Sequence, residues 1–254
     1  MGEDRRSFLK LASLAALCAA GKGSLPGLDE TAEASTSQAS KGVRRAMVVD
    51  LRKCLETKDC KACTEACHRA HNVPTMSDPK HEVKWIWQEP FHDVFPDENS
   101  PYVDEALTAG PALVFCNHCD NPPCARVCPT EATWKRSDGV VMMDWHRCIG
   151  CRYCMAACPY GSRSFNWEDP RPHLTQLNRD FPTRTKGVVE KCTFCDERLD
   201  RGELPACVVA CKEKAMTFGD LNDPDSEVRR LLRSRFALRR KTSLGTQPQV
   251  YYLV

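Results

Sequence analysis

CIGCRYCMAACP (148–159) places four cysteines, Cys148, Cys151, Cys154 and Cys158, in twelve residues and ends on Pro159. Gaps of two, two and three residues fit neither an amphipathic helix nor an alternating strand. They fit a tight loop whose first three thiolates converge on one multinuclear centre. The fourth cysteine sits on the short helix that follows and points away, toward a neighbouring centre. Gly150, between the first two ligands, stands where the loop backbone must wrap closely. Pro159 ends the turn and redirects the chain.

That run is the spacing of bacterial ferredoxins, and the sequence holds three further groups of four. The first is Cys54, Cys60, Cys63 and Cys67 (C-x5-C-x2-C-x3-C). The second is Cys116, Cys119, Cys124 and Cys128 (C-x2-C-x4-C-x3-C), followed by Pro129. The fourth is Cys192, Cys195, Cys207 and Cys211 (C-x2-C-x11-C-x3-C). Of 17 cysteines in 254 residues, only Cys18 stands outside these groups. Disulfides are disfavoured because near neighbours at two- and three-residue gaps make poor partners. Four zinc sites are disfavoured because zinc usually takes two separated CxxC pairs, as the fourth group alone would offer. Reactive-thiol chemistry needs an isolated cysteine of low pKa, and here each one has its group. The expected cofactors are four 4Fe–4S clusters. His118 lies inside a cluster loop, but the cysteine count leaves no ligand position for it.

Outward from the cysteines, the apolar residues come in short runs, so the core is modest and metal ligation supplies part of the folding energy. AMVVDL (46–51), PALVF (111–115), VVMMD (140–144) and KGVVEK (186–191) precede the four groups, and AMTFGD (215–220) follows the last. ATWKR (132–136), a turn at Ser137-Asp138-Gly139 and VVMMD form an expected β-hairpin. The expected fold class is α+β: two ferredoxin-like iron–sulfur domains with short strands, short helices and extensive loops. The aromatics Trp85, Trp87, Phe91 and Phe95 of an insertion over 76–110 are expected to pack that loop on its own domain, with cluster shielding or partner contact as the alternative. Asp223 and Pro224 are expected to open a helix with Val228, Leu231, Leu232 and Phe236 on one face. Its basic residues, Arg229 to Lys241, form a solvated face or a dock for an acidic partner.

A net charge of +2 gives no reason to invoke nucleic acid. Arg5 and Arg6, followed by SFLK and the apolar run LASLAALCAA, resemble a twin-arginine export signal and are too short to span a bilayer. Residues 21–43 read as cleavage region and linker, with Ala32-Glu33-Ala34 one cleavage site and Cys18 leaving with the signal. Periplasmic location follows, with the membrane reached only through partners. No Gly-rich phosphate loop or nucleophile–base constellation stands out, so no catalytic site is expected.

CNHCDNPPCARVCPTEAT, DGVVMMDWHRCIGCRYCMAACPYGSRSF, VEKCTFCDERLDRGELPACVVACKEKAMTFGDLND and the closing LGTQPQVYYL together resemble the four-cluster subunits of molybdopterin-type and related oxidoreductases. Dimethyl sulfoxide, polysulfide, nitrite (Nrf-type) and formate systems contain such subunits. The likeness spans roughly 46–254 and looks closest to the periplasmic subunit of a sulfite-reduction-associated membrane complex. It implies crossed ligation: Cys54, Cys60, Cys63 and Cys211 for one cluster; Cys67, Cys192, Cys195 and Cys207 for a second. Cys116, Cys119, Cys124 and Cys158 would hold a third, and Cys128, Cys148, Cys151 and Cys154 the fourth. It implies an outer domain (44–75 with 185–225) around an inner one (111–184), then a C-terminal helix and docking tail (226–254), after an N-terminal signal and linker (1–43). The implied function is electron transfer between a polytopic quinone-interacting membrane subunit and another redox subunit, a haem or molybdopterin protein. An independent soluble shuttle is the alternative. LETKD (55–59) departs from the family's C-x2-C, and a three-iron cluster follows if Cys54 falls short of its iron. Arg126, Arg152 and Lys191 lie beside ligands and are either potential-raising charges or plain surface charges.

Overall fold

The computed structural model describes residues 42–98 and 102–254; the expected export signal, cleavage site and Cys18 lie outside the described residues. Eight strands occur among them: β1 (Arg45–Asp50), β2 (Ile86–Pro90), β3 (Pro111–Phe115), β4 (Ser164–Phe165), β5 (Val189–Glu190), β6 (Met216–Asp220), β7 (Ala237–Leu238) and β8 (Val250–Leu253). The longest described helix, Ala62–Ala70, has nine residues and the longest strand six. This is a mixed helix-and-strand architecture of short elements, compatible with the α+β class.

The main sheet has the order β6-β1-β8-β7. β1 runs antiparallel to β6 and parallel to β8, and β7 closes antiparallel on β8. Both faces of β1 are buried, and its alternation divides them. Met47 and Val49 face the large core that also takes in cysteine side chains. Ala46 and Val48 face a second cluster built around Val228 of the helix Glu227–Ser234.

That helix starts later than its sequence suggests. Its cap is Ser226, whose hydroxyl accepts from the Arg229 N–H, rather than Asp223. It ends at Ser234, so Phe236 falls outside it and is 71% exposed. Many of the basic residues have intramolecular partners. Arg235 pairs with Asp50, Arg229 donates to the Leu221 carbonyl, Lys241 to the Pro159 carbonyl, and Arg239 lies over Tyr251. The apolar tail is likewise consumed inside the chain: β8 lies between β1 and β7, with Val250, Tyr252 and Leu253 buried. Residues 250–253 of the expected docking tail are therefore a core strand.

The insertion folds back as β2 on β3, and Trp85, Trp87, Phe91 and Phe95 are all buried. Over 132–144 the backbone pairs as a hairpin, with Met142 N–H on Trp134 O and Asp144 N–H on Ala132 O. Gly139 supplies the positive φ (+88°) that its turn requires. Among the described residues no helix is long and apolar enough to cross a membrane.

Candidate metal centre

Among the described residues three cavities are each lined by four cysteines drawn from two of the sequence groups. Cys116, Cys119, Cys124 and Cys158 line one of ≈ 330 Å³. Cys128, Cys148, Cys151 and Cys154 line one of ≈ 290 Å³. Cys67, Cys192, Cys195 and Cys207 line one of ≈ 310 Å³. The remaining thiols, Cys54, Cys60, Cys63 and Cys211, also sit together: burial pushes Cys54 up to about 12, and Cys63, Cys211 and Cys60 beside it push the same way. All sixteen are unbridged.

The quartets follow one another in space. Burial raises Cys67 and Cys207 well above an ordinary thiol, and besides thiols of their own quartet Cys63 contributes to both. After burial, Cys116 is the main neighbour raising Cys192, to about 12. Arg163 stands between Cys124 and Cys154, close to both. The order is thus the Cys54 site, the Cys67 site, the Cys116 site and the Cys128 site.

Local backbone conformation explains how these loops turn their thiols inward. The residue just before the second cysteine of each group has positive φ: Asp59 (53°), His118 (40°), Gly150 (68°) and Phe194 (58°). A left-handed residue reverses the chain so that successive N–H groups line a concavity that suits an anion. Backbone N–H groups reach sulfur directly: Phe194 to Cys192 at 3.4 Å, Ala206 to Cys195 at 3.3 Å and Ala215 to Cys211 at 3.2 Å. Partial burial opposes ionisation of Cys128, yet the Thr130 hydroxyl and the backbone N–H groups of Thr133, Thr130 and Ala132 hold it below the usual thiol value. At Gly150 a Cβ would stand 2.3 Å from the Gly187 carbonyl oxygen, so no side chain fits.

The donor set suits iron–sulfur clusters. Four inward thiols per cavity match the ligation of a cubane, and most are raised by burial, so they ionise only against a positive partner. Conversely, two buried cations lack a carboxylate. Arg163 Nη2 donates to Cys124 Sγ at 3.0 Å and to Thr133 Oγ1 at 2.8 Å. Lys191 Nζ donates to the carbonyls of Val141 and of Cys192, the latter at 2.7 Å. Among the described residues no acid lies within 4.0 Å of either cation, which anionic thiolate centres would offset.

The other residues singled out by sequence divide. Arg152 spreads over Phe165 and Trp167, with its guanidinium carbon 5.3 and 4.9 Å from the ring centroids. Arg126 is exposed. His118 is not a ligand position: its ring stacks on Phe194 at 3.6 Å and its Nδ1 accepts from the Val141 N–H. Arg163 and Arg184 carried no spacing signal and were missed. Arg184 pairs with Glu190 at 2.6 Å with both side chains fully buried, and its guanidinium lies near Trp85, Trp145 and Phe181. Trp85 lines the Cys67 cavity and stacks on His71, so the insertion does shield a thiol site.

Comparison with known proteins gives consistent results. The 4Fe-4S dicluster domain family matches residues 113–221, which contain twelve of the sixteen cysteines. The chain is 39% identical to the Hdr-like menaquinol oxidoreductase iron-sulfur subunit 1 of Archaeoglobus fulgidus, over 98% of this chain and 97% of that protein. It is 37% identical to the menaquinone reductase, iron-sulfur cluster-binding subunit of Nitratidesulfovibrio vulgaris, over 83% and 89%. It is also 37% identical to the protein NrfC of Escherichia coli, over 83% and 80%.

Proposed function

The chain belongs to the family of iron–sulfur subunits of oxidoreductase complexes, and on that premise we propose that it is a four-cluster conductor between a quinone-interacting membrane subunit and a second redox subunit. Its general role, electron transfer within a complex, is the role of the family, and membership favours a fixed subunit over a free shuttle. The observation that carries the finer reading is the set of three cavities, each lined by four cysteines, beside a fourth convergent quartet.

On this reading Cys54, Cys60, Cys63 and Cys211 hold one 4Fe–4S cluster, and Cys67, Cys192, Cys195 and Cys207 the next. Cys116, Cys119, Cys124 and Cys158 hold the third, and Cys128, Cys148, Cys151 and Cys154 the fourth. Each bound cluster takes up and releases one electron. The chain's own part is to fix the clusters in sequence, exclude water with Trp85, Phe115 and Phe194, and set potentials through N–H···S bonds and buried charge. The Cys54 and Cys128 sites are the two ends and face the two partners. The Cys54 site takes four irons, because Cys54 lies among its three companions despite the long gap. The outer and inner halves are two ferredoxin-like domains, and Arg5-Arg6 directs export to the periplasm.

Anaerobic purification followed by iron and sulfide analysis tests the cluster number: about sixteen of each per chain are expected, and about twelve or fewer would refute four cubanes. Cys158→Ser tests the crossing. It is expected to alter the spectroscopic signal that Cys119→Ser also alters and to leave the one that Cys148→Ser alters. The reverse would refute the ligand set.

A further inference from the structure

The Cys116 site has a buried cation on each side. Toward the Cys128 site stands Arg163, only 4% exposed and one of the side chains lining the Cys116 cavity. One of its nitrogens bonds Cys124 Sγ at 3.0 Å and Thr133 Oγ1 at 2.8 Å, and the other contacts Met143 Sδ at 3.7 Å. Toward the Cys67 site stands Lys191, fully buried, whose ammonium is held by the carbonyl of Val141, a residue of the Cys116 cavity wall, and by that of Cys192, a residue of the Cys67 cavity wall. Neither forms an ion pair with a carboxylate among the described residues. Arg184, by contrast, has Glu190 at 2.6 Å. Arg184 thus has its own acid and bonds no cysteine, whereas Arg163 bonds a cysteine sulfur and Lys191 a cysteine carbonyl without an acid beside them.

We propose that Arg163 and Lys191 are the fixed counter-charges of the cluster held by Cys116, Cys119, Cys124 and Cys158, raising its reduction potential so that electrons settle most readily at this interior position. The physical reason is differential. Reduction adds one negative charge to a centre already ringed by thiolates, and in a low-dielectric interior a cation buried in or behind the cavity wall stabilises the reduced form more than the oxidised one. Arg163 also touches the Cys128 site through Cys154, and Lys191 also lies beside the Cys67 site through Cys192. The Cys116 cluster alone is served by both. Both residues act through the cluster's environment and are positioning residues.

The inference rests on the ligand sets proposed above, and the experiment separates the two. The full chain, prepared anaerobically, is titrated electrochemically with the cluster signals followed by electron paramagnetic resonance, and iron is counted in each sample. Arg163→Gln is expected to lower the midpoints of the Cys116 and Cys128 clusters. Lys191→Gln is expected to lower those of the Cys67 and Cys116 clusters. For the Cys116 cluster each change is at least tenfold in the ratio of reduced to oxidised form, 59 mV for a one-electron couple. Arg163→Lys, which keeps the charge, is expected to stay within that tenfold. The Cys54 cluster is expected not to move in any of them. A Cys116 midpoint unmoved by both glutamine substitutions at full iron content overturns the proposal. So does an Arg163→Lys midpoint displaced as far as that of Arg163→Gln, which would make shape rather than charge the cause. If Arg163→Gln loads less iron, Lys191→Gln decides by the same criterion. A wild-type iron count of about twelve or fewer instead refutes the ligand sets themselves.

Discussion

Replacing Arg184 by methionine removes a guanidinium of nearly the same length and leaves Glu190 inside the protein without its cation. The cost can be built from the contacts. Glu190 would keep the Trp85 Nε1–H bond at 2.9 Å and the Asn166 Nδ2–H bond at 2.6 Å but lose the 2.6 Å ion pair. The carbonyls of His71, Asn72 and Pro182 would each lose a charged donor. Removing one partner of a fully buried pair costs about 3–5 kcal/mol, chiefly because the remaining charge is uncompensated. Three lost bonds lie within the same estimate rather than on top of it, since the sites share one side chain. The loss falls on the segment joining 71–72 to 182–190, next to Trp85 and the Cys67 cavity. Hydrogen exchange read per amide in the anaerobically loaded protein measures it without assuming two-state unfolding. Protected amides over 71–73 and 184–190 are expected to exchange roughly two to nearly four powers of ten faster in Arg184→Met. The double variant Arg184→Met/Glu190→Gln is expected to recover most of that protection. An amide acceleration of less than about fivefold, or a double variant as unprotected as the single one, would refute the claim that an uncompensated carboxylate dominates the cost.

Further expectations follow from other parts of the fold. Gly150→Ala adds a Cβ that would meet the Gly187 carbonyl oxygen at 2.3 Å, at a φ of +68°. It should cost more than the ~1 kcal/mol of a simple left-handed penalty, and iron analysis should show loss of the Cys128 cluster while the others stay. Asp59→Gly should leave the Cys54 site loaded and match or slightly exceed wild type in thermal resistance of its signal. Asp59→Val should lower that resistance, because a β-branched residue at φ 53° is strained by about 1–2 kcal/mol. Deleting 250–254 removes β8, the parallel partner of β1 and, among the described residues, the strand that links β7 to the main sheet. Far-UV circular dichroism should show a protein that fails to reach the native fold, whereas a mere docking tail would leave the spectrum unchanged.

Legibility in the sequence followed the kind of force involved. Strands made of short apolar runs were readable: β3 over 111–115 coincides with PALVF, and β1 and β6 lie within one residue of theirs. The cysteine spacing likewise indicated which chemistry to expect, because a thiol has few reasons to recur at two- and three-residue intervals. The helix 227–234 was misplaced at both ends since Asp223 and Ser226 are both competent caps, and local sequence does not choose between them. Ser226 wins because its hydroxyl is also held by the Asp220 carbonyl at the end of β6. Residues 250–253 show a related ambiguity: an apolar run such as VYYL reads the same whether it meets a partner or, as here, the chain's own first strand. Arg163 and Arg184 were invisible because a lone arginine carries no period, and only the fold shows which acids are absent or present around it.

The five-residue gap between Cys54 and Cys60 shows how far a spacing rule can be trusted. Read as spacing alone, it sets the first group apart from the other three and raises doubt about Cys54. Read as backbone, the difference disappears, because the left-handed residue comes immediately before the second cysteine in all four groups, as Asp59, His118, Gly150 and Phe194. What the loop needs is that reversal at that point; the number of residues before it is free so long as they bring the first cysteine back. LETKD does so by prolonging the helix Leu51–Glu56 past Cys54, capped at Asp50, and turning through residues 57–59, held by the Thr57 hydroxyl on Glu213. Glu213 lies two residues beyond Cys211, so the bond ties the inserted loop to the segment that carries the quartet's fourth thiol. Only one of the four reversals is made by glycine. The other three residues accept left-handed strain of about 1–2 kcal/mol each, and a reversal kept at four equivalent places, at that cost in three of them, is the strongest sign that the four loops are built for the same kind of ligand.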